Sequence, residues 1–102
     1  MTGKGGLGGP QEEAQQSFAF LLLPQFSMLA FSSAVEPLRA ANRLSGRKLY
    51  DWRILTADGA PIRSSSHMHL LPDGALGDAG RPEFLIVVAG LAVQRLRVPG
   101  II

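Results

Sequence analysis

Unbroken apolar runs mark two strands of the chain. One run, residues 18–23 (FAFLLL), stops at Pro24, and the other, residues 84–89 (FLIVVA), is followed directly by Gly90. Runs of this length are typical of strands in parallel sheets that are covered on both faces. A third segment, residues 49–57, is rich in aromatic and β-branched residues and predicts another strand.

After the first strand, the apolar positions change to a helical period. Over residues 28–44 they recur on one face, with charged residues on the opposite face. Ser27 is placed to cap the start of this helix, and Ser45-Gly46 supplies a usual end. Pro37 removes a backbone donor, so the sequence predicts either a kink or two short helices that meet near Glu36.

Shorter elements follow the middle strand. Asp58-Gly59 is a strong turn signal, so residues 60–63 are expected to pair back on that strand as a short hairpin arm. Residues 68–71 form another extended piece, and Asp73 is placed to cap a turn of helix around Ala75-Leu76. The order strand, helix, strand and later strand predicts an α/β fold with a parallel sheet.

The first sixteen residues have a different composition. They read MTGKGGLGGPQEEAQQ, with three apolar residues, so residues 1–16 are predicted to be a flexible tail. Gly3, Gly5 and Gly8 form a literal G-x-G-x-x-G, but a dinucleotide site needs a strand directly before the glycines. Only Met1 and Thr2 precede them. No cofactor is therefore expected.

Composition excludes several classes of function. The net charge of +2 is spread along the chain, without the basic face usual in nucleic-acid binders. Cysteine is absent, which excludes disulfides, thiolate metal sites and a cysteine nucleophile within these 102 residues. His67 and His69 would share one side of a strand, but no third ligand lies near them, so no metal site is predicted.

The distribution of apolar residues also indicates where the protein is located in the cell and whether the chain forms a whole domain. The longest apolar stretch falls well short of the roughly 20 residues of a membrane span, and no signal peptide is visible, so a cytoplasmic protein is expected. Only one substantial helix is present, whereas a parallel sheet needs helices on both faces. We therefore expect residues 17–102 to be the first half of a larger domain, with runs such as 18–23 short of their cover.

Four segments of the chain carry a resemblance to a known family. They are FLLLPQFSMLAFSSAVEPLRAANRLSG, YDWRILTADGAPIRSS, LLPDGAL and EFLIVVAGL, in this order. Together they resemble the N-terminal segment of GlxA-type transcription regulators, in which a class I glutamine amidotransferase-like (ThiJ/PfpI) domain precedes an AraC-type helix-turn-helix domain. The resemblance implies a flavodoxin-like α/β fold with a partly parallel sheet, of which this chain would hold the N-terminal half. The C-terminal half of that domain and the helix-turn-helix domain would be absent.

The resemblance also bears on catalysis. Ala89-Gly90 looks like the family's Gly-Gly turn, in which the second glycine faces the reactive centre of enzymatic members; Gly90 fits this position and Ala89 departs from it. Hydrolytic relatives place a glutamate early in the first helix, whereas residues 28–31 here read MLAF. Their nucleophile elbow would lie beyond Ile102. The resemblance therefore implies that this chain is not an enzyme and has no catalytic residues.

Two loops form the predicted ligand site. Pro24-Gln25-Phe26 and Ala89-Gly90-Leu91 each follow a buried strand, and the carboxyl ends of parallel strands form the rim where ligands of such folds bind. We expect these residues to border an effector pocket for a small nitrogenous metabolite. The intact protein is expected to be a homodimer that reaches DNA only through the absent domain and does not contact a membrane.

Three classes of function stay open. The first is the sensor part of a transcription regulator. The second is a ThiJ/PfpI-type hydrolase, hydratase or glyoxalase-like enzyme, which a downstream nucleophile elbow without a helix-turn-helix would favour. The third is a non-functional remnant of a truncated reading frame. The missing helix glutamate favours the first class over the second.

Overall fold

The computed structural model describes residues 16–90 of the chain. Its elements are β1 (Gln16–Leu22), α1 (Met28–Ser45), β2 (Tyr50–Thr56), β3 (Ile62–Arg63), β4 (His69–Leu70), β5 (Gly74–Ala75), a short 3₁₀ helix (Leu76–Asp78) and β6 (Phe84–Val88). The predicted tail, apart from Gln16, lies outside the described residues, as does everything after Gly90.

Four parallel strands form the main sheet, in the order β5-β2-β1-β6. The predicted α/β fold with a parallel sheet is thus confirmed. β1 is central, because Phe18 pairs with Trp52 of β2 on one side and with Phe84 of β6 on the other. The chain runs outward from β1 to β2 and β5 and then returns to the far side of β1. The strand order therefore reverses between β1 and β6, which is where open α/β sheets bind ligands.

Successive side chains of β1 enter two different apolar clusters. On the face covered by α1, Phe20 and Leu22 pack with Phe31. On the opposite face, Leu21 packs with Leu55. A strand that is covered on both faces has no solvent-facing position for a polar side chain, which explains the unbroken apolar run.

Of strands β1 and β6, the exposed large apolar side chains lie on β6 and not on β1. The expectation that residues 18–23 would be short of cover is wrong for residues 19–23, which are at most 2% exposed. Pairing with strands on both sides protects them. β6 is an edge strand of the described sheet, and its Phe84, Leu85 and Val87 are 45%, 45% and 43% exposed.

The helix is continuous from Met28 to Ser45, so the alternative of two short helices is wrong. Pro37 is accommodated because it lies on an exposed turn, where the carbonyl that loses its donor can bond to water. The predicted caps are confirmed: the Ser27 hydroxyl accepts the Ala30 N–H at 3.1 Å, and Gly46 ends the helix with a left-handed φ of 70°. No helix within residues 16–90 is long and apolar enough to cross a membrane.

The predicted hairpin arm does not pair with the middle strand. β3 pairs antiparallel with β4, with Ile62 opposite Leu70 and Arg63 opposite His69. The physical reason is that β2 has no free edge at its end: β1 lies on one side, and β5 pairs with Leu55 and Thr56 on the other.

Asp73 does not cap a helix, contrary to the prediction. Its carboxylate accepts the Ile54 N–H at 2.7 Å, and its own N–H donates to the Ile54 carbonyl at 2.6 Å. These bonds align the next two residues as β5. The 3₁₀ helix starts only afterwards, and the Asp78 carboxylate holds it by accepting the Ala75 N–H at 3.2 Å.

Candidate functional site

Two loops meet at the point where the strand order reverses. The β1–α1 loop (residues 23–27) leaves β1, and Ala89-Gly90 leaves the neighbouring strand β6. The N–H groups of Leu23 and Ser27 donate to the carbonyls of Val88 and Ala89 at 3.1 and 3.0 Å. The two segments that the sequence analysis placed on one rim are therefore bonded to each other.

Gly90 is in direct contact with the β1–α1 loop. A Cβ atom at this position would lie 1.9 Å from the Gln25 carbonyl oxygen and 3.3 Å from the Phe26 Cα. Only glycine permits so close a backbone approach. Ala89, in contrast, packs against the core cluster around Leu21. The extra methyl is thus accommodated in the core beside Gly90.

The predicted site residues differ in access to solvent. Those that are exposed or partly exposed are Pro24, Gln25, Ala89 and Gly90. The Phe26 side chain is fully buried, with its ring centre 6.2 Å from that of Phe31. Phe26 can therefore offer a ligand only its backbone. Leu91 lies outside the described residues.

A cavity of about 170 Å³ opens beside the β1–α1 loop. Its lining residues are Gln25, Arg63, Ser64, Ser65 and His67. Of these, only Gln25 was among the predicted ligand-binding residues. The others come from the end of β3 and from the β3–β4 loop (residues 64–68). The sequence feature that could have indicated these residues is the polar run RSSSH (residues 63–67), which lies between two short extended segments.

Backbone hydrogen bonds fix the β3–β4 loop to the β1–α1 loop. The Gln25 N–H donates to the Arg63 carbonyl, and the Ser65 N–H donates to the Phe26 carbonyl, both at 2.9 Å. The β1–α1 loop is thus bonded to the end of β6 by the N–H groups of Leu23 and Ser27. It is bonded to Arg63 and Ser65 by the Gln25 N–H and the Phe26 carbonyl. One short loop joins both halves of the candidate site.

Arg63 and His67 meet at the wall of this cavity, where Arg63 Nη2 and His67 Nδ1 are in hydrogen-bond contact. His67 lies in the loop with a φ of 69°, and only His69 lies in β4. The strand on which both histidines would share one side is therefore not present. Across residues 16–90, no group of three or more His, Cys, Asp or Glu is placed to hold a metal ion.

A larger cavity, of about 450 Å³, borders Pro24. The ends of β1 and β2 and the segment that follows β2 form its walls, among them Leu22, Thr56, Asp58 and Ile62. Its volume lies within the roughly 300–1,000 Å³ usual for small-molecule sites. Pro24 and Ile62 line this cavity, and their chain neighbours Gln25 and Arg63 line the smaller one.

The start of α1 carries no reactive acid. Its first turn contains no Asp or Glu. The helix begins instead with the hydroxyl cap of Ser27 on the Ala30 N–H. This is the stretch in which hydrolytic relatives would carry a glutamate.

No family model matches the chain, but its sequence is similar to segments of several transcriptional regulators. The chain is 43% identical over 86 residues to the HTH-type transcriptional regulator GbdR of Pseudomonas aeruginosa, covering 84% of this chain and 23% of GbdR. It is 47% identical over 87 residues to the HTH-type regulator CdhR of the same species, covering 85% and 26%. Over 51 residues it is 47% identical to the HTH-type regulator GlxA of Rhizobium meliloti, covering 50% and 16%.

Two solved structures have folds similar to that of this chain. The crystal structure of an AraC family transcriptional regulator from Pseudomonas putida matches with a TM-score of 0.67 at 28% identity, covering 83% of this chain and 43% of that one. A DJ-1 superfamily protein, Atu0886 from Agrobacterium tumefaciens, matches with a TM-score of 0.58 at 21% identity, covering 78% and 40%, and shows the fold alone.

The chain spans about a quarter of the length of the curated regulators that it matches most extensively. The resemblance found in the sequence is nevertheless confirmed over most of the 102 residues. This chain is similar to one segment of HTH-type, AraC-family transcriptional regulators, and its described residues form part of a flavodoxin-like α/β fold that is also found in a DJ-1 superfamily structure.

Proposed function

We propose that this chain is the effector-sensing part of a transcriptional regulator, in which a separate AraC-type helix-turn-helix domain binds DNA. The observation that carries the proposal is the 43% identity to an HTH-type regulator over 84% of the chain. Such a protein would act in the cytoplasm, as a homodimer. Sequencing the DNA on both sides of the coding region tests the link, because a helix-turn-helix in the same frame is expected.

The effector pocket would lie at the rim between β1 and β6. Pro24-Gln25-Phe26 and Ala89-Gly90-Leu91 would border it, and the effector would be a small nitrogenous metabolite. The support is topological, because the strand order reverses between these two loops and the cavity of about 450 Å³ begins at Pro24. No cofactor is part of this proposal.

The alternative function is that of a ThiJ/PfpI-type hydrolase or glyoxalase-like enzyme. The likeness to a DJ-1 superfamily structure favours it. Against it stands the first turn of α1, which offers no carboxylate beside the rim. We therefore propose a binding function without catalysis for this chain.

Isothermal titration of the 102-residue chain with small amines, amides and amino acids tests the pocket. We expect saturable binding of at least one of them, weakened roughly tenfold or more by Gln25→Ala, because a lost hydrogen bond to a ligand has about this effect. Leu44→Ala is the matched control, since Leu44 is 87% exposed near the end of α1. Equal affinity in the parent and the Gln25→Ala variant would contradict the proposed site.

A further inference from the structure

Four of the residues that line the smaller cavity, Gln25, Arg63, Ser65 and His67, carry polar side chains that can donate hydrogen bonds. The Arg63 guanidinium has five N–H donors, and among residues 16–90 its side chain contacts no carboxylate, only His67. When Nδ1 of His67 accepts from Arg63, the proton of the neutral ring is on Nε2, which becomes a further donor. Ser65 and Gln25, which also line the cavity, carry a hydroxyl and an amide group.

Among residues 16–90, no acidic side chain lines this cavity. Two other arginines of the described chain have oxygen partners: Arg39 bonds to the Glu36 carboxylate at 2.6 Å, and Arg53 bonds to the Asp78 carbonyl at 2.7 Å. Arg63 lines the cavity, and its side chain has no oxygen partner among residues 16–90. A wall of this composition matches a ligand that brings its own negatively charged oxygens.

The backbone around the cavity is held in place before a ligand arrives. Ser64 is 1% exposed, and its hydroxyl contacts that of Ser66 at 2.9 Å and accepts the Met68 N–H at 3.1 Å. Gln25 and His67 both have left-handed φ angles, 63° and 69°, which are uncommon for residues other than glycine. Such conformations are concentrated at ligand-binding sites, and both of these residues line the smaller cavity.

Volume limits the class of ligand. A cavity of about 170 Å³ lies below the roughly 300–1,000 Å³ usual for sites that hold a whole small molecule, so it suits one small polar group of a ligand, such as a carboxylate. The neighbouring residues Pro24 and Ile62 open onto the larger and mostly apolar cavity. That arrangement offers space for a carbon skeleton, which an organic acid has and inorganic phosphate lacks.

We infer that Arg63, Ser65, His67 and Gln25 bind the carboxylate group of a small organic acid, with its carbon chain directed toward Pro24 and Ile62. The inference deepens the proposed function by naming a charged group on the effector. Only the statement that the organic acid acts as an effector rests on the proposed function. Carboxylate binding at the β3–β4 loop can be measured independently of the proposed function.

The test is a titration of the ¹⁵N-labelled 102-residue chain, followed by nuclear magnetic resonance, with butyrate, butyramide and inorganic phosphate. We expect butyrate to shift the amide signals of Ser65 and His67 saturably. Butyramide, which has the same shape without the charge, is expected to leave them unchanged, and phosphate is expected to bind at least tenfold more weakly. Butyrate and phosphate contain no nitrogen and lie outside the panel of amines, amides and amino acids, so a failure to bind butyrate is distinguishable from a failure of that panel.

Variants locate the binding. Arg63→Met keeps the backbone carbonyl that bonds to Gln25, and we expect it to weaken butyrate binding roughly tenfold or more. Arg43→Met, on an exposed residue in the last turn of α1, is the control and is expected to change nothing. His67→Asn retains a residue that tolerates left-handed φ and is expected to weaken binding as well.

Three results would overturn the inference. The first is no saturable shift with butyrate in a chain whose circular dichroism shows the fold to be intact. The second is an equal response to butyramide, which would remove the role of charge. The third is equal or tighter binding of phosphate that depends on Arg63, which would make this an inorganic oxyanion site.

Discussion

Replacing Gly90 by alanine should be among the most damaging small changes in the described chain. The new Cβ would lie 1.9 Å from the Gln25 carbonyl oxygen, and real Cβ contacts are essentially never under 3.0 Å. One of the two backbones must therefore move by more than 1 Å. The bonds that join them, from the N–H groups of Leu23 and Ser27, are 3.1 and 3.0 Å long, so neither survives such a shift.

The magnitude follows from these losses. Two backbone hydrogen bonds contribute about 1–3 kcal/mol together, and forced overpacking costs a further 1–3 kcal/mol or so. We therefore expect Gly90→Ala to lower the free energy of unfolding by about 2–6 kcal/mol, measured by urea denaturation followed through Trp52 fluorescence and circular dichroism. Gly77→Ala is the matched control, because a Cβ there meets nothing within 4 Å. A difference below about 0.5 kcal/mol between the two variants would refute the close-approach reasoning.

Three further predictions concern the loops that hold the site, and the same denaturation assay checks each of them. Asn42→Ala should cost about 2–4 kcal/mol, because this side chain makes three hydrogen bonds of 2.9 Å to the backbone at the start of β2; a loss below 1 kcal/mol would contradict this. Ser27→Ala should cost about 1 kcal/mol through the lost cap, whereas Ser33→Ala, exposed in mid-helix, should be neutral or slightly stabilising. Gln25→Gly should be more stable than Gln25→Ala by up to about 1 kcal/mol, because only glycine adopts a φ of 63° without strain; equal stability would count against strain at this position.

The parts of the fold that depend on local pattern could be predicted. β1 and β6 both follow from unbroken apolar runs, which are typical of strands in parallel sheets. In the described structure β1 is covered on both faces, whereas three side chains of β6 are 43–45% exposed. The helix, expected over residues 28–44, runs from Met28 to Ser45, and both of its ends are set by side chains and backbone within one turn. The hydroxyl of Ser27 and the left-handed Gly46 act on their own neighbours, so the sequence around them is sufficient to predict them.

The parts that depend on distant partners could not be predicted. Gly74–Ala75 has no strand propensity, and it becomes β5 because Leu55 and Thr56 present a free edge to it. Asp73 resembles a helix cap in isolation, yet its carboxylate bonds to the N–H of Ile54, nineteen residues earlier in the chain. Local patterns carry no information about which edge is free, so such pairings emerge only from the assembled sheet.

The missed half of the candidate site has the same cause as the wrong hairpin. An arm folded back along β2 would carry Arg63 away from the β1–α1 loop, and the Gln25 N–H would lose the Arg63 carbonyl as its acceptor. In the structure, β5 occupies that edge of β2, so β3 turns instead toward β4 and places the Arg63 carbonyl on the Gln25 N–H. A two-residue strand that no propensity indicates thus decides where the Arg63 guanidinium lies. For this chain, finding the second half of the candidate site from sequence would have required first knowing which strand pairs with the outer edge of β2.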